Sequence, residues 1–210
     1  SKEVINVREN VGLIEVANFA KHEFKGPETR KFLDHILAGK LPKPGRISLS
    51  PMLTYRGKLY GDLTVACLEE NEFIVFGSGA AQEMHRRWFE NHLSKFKVQY
   101  KNRSDEFHGI SIAGPNSRKV LEKIVRENVS NEKFKFRDSR RMFVGGVPAI
   151  INRISFTGEL GYEIYVAPHY QLKLYEELME AGKEFNIKPF GGRALMSMRL
   201  EKNWGAWTLD

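Results

Sequence analysis

The sequence predicts an α+β fold built from two related halves, each running strand, helix, hairpin strands, helix, with mostly antiparallel sheets. Three observations predict it. A thirteen-residue segment recurs 88 residues further on. The elements after each copy follow in the same order. Strands and helices mix without the regular β-α-β alternation that a parallel sheet requires.

The repeat comes first because an internal period decides how everything else is read. Residues 25–37 match residues 113–125, and six of the thirteen positions are identical, among them Gly26 and Gly114, Pro27 and Pro115, Arg30 and Arg118. Each copy follows a short strand, and Gly-Pro closes that strand and opens a helix. Proline suits a first helical turn, where its missing N–H costs nothing. Phe32, Leu33, Ile36 and Leu37 fall on one helical stripe, as do Val120, Leu121, Ile124 and Val125. After the first copy come strands at 47–53, 62–68 and 72–76, with a turn at Arg56-Gly57, and a helix over about 81–93. After the second come strands at 141–144, 149–156 and 162–166, with a turn at Gly145-Gly146, and a helix over about 170–185. A last helix, about 193–203, stands outside the repeat, whose halves cover about 11–97 and 107–186. Two related halves packed about a pseudo-two-fold axis would leave a pocket between them.

Bulk composition bounds the function classes. With 210 residues, 41% hydrophobic and 28% charged, the chain can bury a core as one large unit or two small ones. No apolar run approaches the ~20 residues that span a bilayer, and Ser1-Lys2-Glu3 opens no signal peptide. The single cysteine, Cys67, excludes an intrachain disulfide scaffold, so a reducing intracellular compartment is expected. The net charge of +7 suggests an acidic partner, with nucleic acid, anionic lipid and polycarboxylates all fitting. The chain lacks an initial Met and stops just after its last helix, so it reads as a fragment of a longer protein.

Two carboxylates stand out. In the strand that follows Gly61, Leu63, Val65 and Cys67 share the core face, so Asp62 opens the opposite face. It reads either as a turn aspartate or as a carboxylate aimed into a pocket. Glu163 lies mid-strand between Tyr162 and Ile164, where glutamate is disfavoured. It reads either as an edge position in solvent or as an acceptor for a ligand with adjacent N–H donors, such as a pterin. Other features weigh less. Gly77-Ser78-Gly79-Ala80-Ala81-Gln82 imitates a dinucleotide-binding turn but lacks the third glycine, and reads as a glycine-rich helix start. His85 and His92 have no third partner for a metal. Lys133-Phe134-Lys135-Phe136-Arg137, with Arg140 and Arg141, interleaves basic and aromatic residues as nucleic-acid-binding strands do, and as half-buried basic strands also do.

Several segments, in this order and spacing, resemble the folate-binding aminomethyltransferase family. They are Val11-Gly12-Leu13-Ile14-Glu15-Val16, the first Gly-Pro helix, Gly61-Asp62-Leu63-Thr64-Val65, His85-Arg86-Arg87-Trp88-Phe89, Ile112-Ala113-Gly114-Pro115, Phe156-Thr157-Gly158-Glu159-Leu160-Gly161-Tyr162-Glu163-Ile164 and Arg199-Leu200-Glu201-Lys202. The resemblance covers nearly the whole chain. It is strongest to the folate module of dimethylglycine and sarcosine dehydrogenases, of which the glycine cleavage T-protein is a relative. By resemblance the cofactor is tetrahydrofolate, possibly polyglutamylated, whose tail the positive charge would help collect. Asp62 matches the catalytic carboxylate beside the reactive folate nitrogens. Glu163 matches the pterin-binding glutamate, with Tyr162 beside it. Phe156 and Leu49 fall where T-proteins carry folate-contacting tyrosines, and Arg199 keeps one of two arginines of the last helix. No cysteine lies near that helix, unlike in the iron–sulfur assembly branch of the family.

The resemblance implies a division of labour. A companion domain with FAD oxidises an N-methyl amine to an iminium, and this domain captures the one-carbon unit as methylenetetrahydrofolate. Capture at an already electrophilic carbon needs mainly positioning. The expected location is the bacterial cytoplasm, or the mitochondrial matrix in a eukaryote, with no nucleic-acid or membrane partner. Two other readings stand beside it: a stand-alone folate-dependent demethylase or aminomethyltransferase, and a non-catalytic basic domain that binds nucleic acid, which strong salt dependence would reveal.

Overall fold

A computed structural model describes residues 1–207 and resolves them into two compact units, Asn18–Glu106 and a unit formed by Ser1–Ala17 with the described residues from Phe107 onward. The fold is α+β. In chain order the elements are α1 (Lys2–Glu9), β1 (Val11–Glu15), β2 (Ala20–Lys25), α2 (Thr29–Ile36), β3 (Arg46–Leu53), β4 (Leu59–Glu69), β5 (Glu72–Gly77), α3 (Gln82–Leu93), β6 (Gln99–Asn102), β7 (His108–Ala113), α4 (Ser117–Ile124), β8 (Ser139–Val144), β9 (Val147–Asn152), β10 (Gly161–Val166), α5 (Gln171–Gly182), β11 (Ile187–Pro189) and α6 (Gly192–Glu201).

The duplication is visible in the strand orders. One unit holds a five-stranded sheet, β3-β4-β5-β2-β6, and the other a six-stranded sheet, β11-β1-β7-β10-β9-β8. The series β6-β2-β5-β4-β3 therefore corresponds to β1-β7-β10-β9-β8, with every pairing in both antiparallel. The leading strand of each copy is exchanged. β1 precedes the first copy in sequence but pairs with β7 of the second, while β6 precedes the second copy but pairs with β2 of the first.

The Gly-Pro motif explains why this arrangement needs those residues. Gly26 and Gly114 have φ of 133° and 134°, a region that side chains rarely adopt. A Cβ on Gly26 would lie 2.6 Å from the Lys97 carbonyl oxygen, and one on Gly114 would lie 2.5 Å from that of Asn10. Lys97 and Asn10 lead into the exchanged strands β6 and β1, so the two glycines hold matching junctions. Each turn closes on its own helix: Thr29 N donates to Gly26 O at 3.1 Å, and Ser117 N to Gly114 O at 3.0 Å.

Each sheet buries one face under its own two helices. Phe24, Leu63, Val65, Cys67, Phe73 and Val75 meet Phe32, Leu33 and Phe89 of α2 and α3. Ile110, Ile112, Ile151, Tyr162 and Ile164 meet Val120, Leu121, Leu174 and Leu178 of α4 and α5. On the second face of the six-stranded sheet, Ala113 packs with Val7 of α1 and with Ala194 and Met198 of α6.

Three elements depart from the sequence reading. Helix α1 forms from a polar segment because Val7 is buried in the α6 cluster and Asn6 Nδ2 donates to Val11 O at 2.9 Å. The strand expected over 149–156 ends at Asn152, so Phe156 lies in a loop. That loop is fixed by its own hydroxyls, since Ser155 Oγ and Thr157 Oγ1 are 2.7 Å apart and Glu159 N donates to Thr157 Oγ1. β4 begins at Leu59, so Asp62 lies within the strand and not at its start.

Candidate functional site

β10 sorts its residues by alternation. Gly161, Glu163 and Tyr165 share one face, and Tyr162 and Ile164 the other. Across the sheet, Glu163 stands opposite Ser111 of β7 and Asn152 of β9, and Asn152 stands opposite Ser139 of β8. Directly paired residues of antiparallel strands point the same way. Ser111, Glu163, Asn152 and Ser139 therefore form one polar row on the face opposite the main core.

The row is organised around the Glu163 carboxylate. Tyr165 Oη donates to Glu163 Oε2 at 2.8 Å. Ser139 Oγ donates to Asn152 Oδ1 at 2.7 Å, and the buried Asn152 Nδ2 has no hydrogen-bond partner. Glu163 itself keeps part of its surface open. Burial pushes its carboxyl up to about 7, against the opposing pull of the Tyr165 hydrogen bond. Burial and the neighbouring carboxylate push the Tyr165 phenol well above its ordinary value, so it remains a donor. A carboxyl poised near neutrality, with one oxygen held by a phenol, can accept from a ligand that offers adjacent N–H groups.

The same unit brings Phe156 and Arg199 toward this face. Ala113 stands opposite Gly161, two residues before Glu163, and α6 packs on Ala113. Arg199 on α6 is buried, and its Nη1 donates to Trp204 O at 2.9 Å. The loop that carries the half-buried Phe156 is tied to α6 by Lys202 Nζ, which donates to Ser155 O at 3.0 Å. Arg8 fastens it from α1, donating to Thr157 O and to Glu159 at 2.8 Å and to Glu201 at 2.6 Å. Tyr162, expected with the cofactor-binding residues, points the other way. The alternation that puts Glu163 on one face puts Tyr162 on the other, fully buried and stacked on Phe134 at 5.8 Å.

Asp62 and Leu49 belong to the other unit. Leu49 stands opposite Thr64, and Asp62 opposite Pro51, so Leu49, Pro51, Asp62 and Thr64 share a face. It is the face away from Leu63, Val65 and Cys67. Asp62 is exposed, yet the surrounding protein raises its carboxyl from the ordinary value by desolvation. Further along that face, Lys21 and Glu23 of β2 are buried, an unusual setting for both residue types, and Lys21 stands opposite Phe76, which stands opposite Thr64.

Sequence reasoning missed Ser111, Ser139, Asn152, Tyr165, Lys21 and Glu23. Only Tyr165 carried a local signal, since it lies two residues from Glu163 and must share its face. The others depend on strand register. The two histidines of α3 have structural roles. His85 lies 6.4 Å from His22, ring to ring, in the core, and His92 contacts Tyr55 Oη and the Trp88 carbonyl. Among the described residues, no three His, Cys, Asp or Glu side chains group as metal ligands, and no helix is long and apolar enough to cross a membrane.

The duplicated α+β fold is that of an aminomethyltransferase-type domain, and the chain belongs to that family: the GCVT N-terminal domain matches residues 1–210. The chain is 39% identical over 204 residues to mitochondrial dimethylglycine dehydrogenase of Mus musculus, covering 96% of this chain and 23% of that protein. It is 34% identical over 214 residues to sarcosine oxidase subunit alpha of Rhizobium meliloti, covering 96% and 21% respectively. The chain thus spans about a quarter of the length of these relatives. In structure it matches the glycine cleavage system aminomethyltransferase T of Bartonella henselae with a TM-score of 0.86 at 23% identity, over 98% of this chain and 54% of that one. That likeness shows the fold.

Proposed function

We propose that the chain is a tetrahydrofolate-binding domain that captures a one-carbon unit from an oxidised N-methyl amine, as part of a dimethylglycine or sarcosine dehydrogenase-like enzyme. The observation that carries the reading is Glu163: a partly open carboxyl on the polar face, held by Tyr165 and raised to about 7 by burial. Such a group fits the 2-amino and ring N–H donors of a pterin, which it would bind side by side as a carboxylate. Relatives that match along most of the chain include a dimethylglycine dehydrogenase and a sarcosine oxidase subunit as well as aminomethyltransferases, which favours this reading over a nucleic-acid-binding domain. The inward placement of Phe134, in the core of the basic–aromatic segment, weighs the same way.

Tetrahydrofolate supplies the nucleophilic nitrogens of the reaction. The roles left to this chain are binding and proton handling. Glu163 orients the pterin, with Phe156 against the ring and Arg199 in support. Asp62 accepts the proton released as the nitrogens take up the one-carbon unit, a role that its raised carboxyl suits. No redox step falls to these residues, because the carbon of an iminium already has the oxidation level of formaldehyde. Oxidation of the amine belongs to an FAD-bearing companion domain or chain. The net positive charge would gather a polyglutamate tail. The test supplies the enzyme with dimethylglycine or sarcosine and tetrahydrofolate and measures how the one-carbon unit divides between methylenetetrahydrofolate and free formaldehyde. Methylenetetrahydrofolate as the main product supports the proposal. Formaldehyde alone, unchanged by added folate, refutes it.

A further inference from the structure

The duplication exposes a second feature on the core side of the six-stranded sheet. Arg30 of the first copy corresponds to Arg118 of the second. Phe73 stands opposite Phe24, and Tyr162 opposite Ile112, which places Phe73 and Tyr162 at matching positions. Cys67 and Arg153 match as well, because they follow the paired residues Ala66 and Asn152. In the first copy this triad is neutralised from within. Arg30 lies over the Phe73 ring at 5.1 Å, its Nε donates to Glu70 at 3.1 Å, and its Nη2 donates to the Cys67 sulfur.

The second copy has two guanidiniums and a phenol in the same place. Arg118 Nη2 and Arg153 Nη2 both donate to Asn131 Oδ1, each at 2.6 Å. A neutral amide oxygen stands where Glu70 supplies a carboxylate to Arg30. Arg118 Nε, Arg153 Nε and the Tyr162 O–H are buried donors without an acceptor, Arg118 lying close enough to donate to the Tyr162 oxygen, and the Tyr162 ring is itself fully buried. Burial raises the Tyr162 phenol, and the neighbouring Arg118 and Arg153 charges work against that rise. Arg153 is lowered by burial and by the neighbouring Arg118, with Tyr162 and the Asp138 carboxylate opposing the fall in part. All three unpartnered groups are donors, and two carry positive charge next to each other. An oxyanion, which has only acceptors, satisfies both deficits.

We infer that Arg118, Arg153 and Tyr162 form an oxyanion site, in which a carboxylate or phosphate displaces the exposed Asn131 amide. The site is independent of the Glu163 face, because Tyr162 and Glu163 point to opposite sides of β10. Titration of the protein with inorganic phosphate and with glutarate, each against chloride at matched ionic strength, tests it by calorimetry. Saturable binding of either anion supports the site, and the preferred one assigns its class. N131D would place a carboxylate between the arginines and is expected to abolish anion binding while raising the melting temperature. Y162F carries the residue that the other copy uses, and with R153Q should weaken binding at least about tenfold, whereas R30Q in the other copy should leave it unchanged. The inference is overturned if neither anion binds saturably, or if N131D and Y162F bind as the wild type does.

Discussion

At the position where one unit carries Glu163, the other carries Ile74. Glu163 stands opposite Ser111 and Asn152, and Ile74 opposite Glu23 and Ala66. The correspondence extends one strand further, where Ser139 matches Ile47. The asymmetry is reversed at Asp62, whose counterpart four residues before Asn152 is Pro148. The two copies share the Gly-Pro turns, strand order and core faces, and differ where the proposed chemistry is placed. A duplicated scaffold fixes where side chains point, and each copy can then fill those positions for a different task.

Protonation separates the copies most sharply. Burial lowers His22 to about 3, with the neighbouring His85 adding to the effect. Between 3 and the ordinary 6.5 an unfolded chain binds a proton that the folded one does not, so stability of that unit falls as pH drops through this window. The full span corresponds to roughly 3–5 kcal/mol. Glu163 behaves in the opposite sense. Its carboxyl holds a proton up to about 7 when folded but only to about 4.5 when unfolded. It therefore costs stability above pH 7 and ceases to do so below 4.5. Hydrogen exchange followed from pH 8 to 4 should show opposite slopes in the two units, with H22F reducing the slope of its own unit only, where burial lowers His85 as well. Parallel slopes would break the contrast.

Asp62 gives the next largest effect. Asp62→Asn should lower one-carbon capture by about 10²-fold or more and change stability by about 1 kcal/mol or less. The partition between methylenetetrahydrofolate and formaldehyde reads the first, and urea unfolding the second. Pro148→Ala at the matching position should leave the partition unchanged. A D62N enzyme that partitions as the wild type does would make Asp62 a surface residue of β4.

Smaller effects sharpen the account. Because the pterin would be bound by the carboxylate, folate affinity should fall as pH drops below 7, approaching tenfold per unit. A flat profile between pH 8 and 6 would detach Glu163 from the ligand. Longer polyglutamate tails should bind more tightly at low salt, with the gain shrinking as salt screens the charge. Equal affinity for mono- and polyglutamate forms would remove the role proposed for the net charge.

The duplicated fold was legible because its turns leave little choice. A Gly-Pro pair at a positive-φ junction, followed by a helical stripe, marks each copy. Alternation likewise gave the face of Asp62, and the same rule applied to β10 separates Tyr162 from Glu163. Other features were hidden for physical reasons. β6 and β11 are short, with exposed positions and little apolar pattern, and exist through their pairing to β2 and β1. α1 is helical because of Val7, packed on Ala113 and Met198, and Asn6, which donates to Asn186 O as well as to Val11 O, and most of these partners lie far along the chain. The polar row around Glu163 comes from strand register, which joins residues 111, 139, 152 and 163 across three separate connections, the first of which holds α4. The sequence reading extends the strand to Phe156, whereas Ser155 and Thr157 on either side of it hold the backbone in a loop.

The central claim is that the Glu163 carboxylate binds the pterin. The direct measurement is the affinity of the wild type and of Glu163→Gln for tetrahydrofolate at pH 8, with unfolding measured in parallel. The substitution meets no steric obstacle, since the amide has nearly the same shape and its oxygen can still accept from Tyr165. The variant should be as stable as the wild type or more stable by about 1–3 kcal/mol, because a buried charge is removed. Its affinity should fall by about 10²-fold, the loss of a charge-assisted pair of hydrogen bonds. A variant that folds and binds tetrahydrofolate as tightly as the wild type would contradict the account.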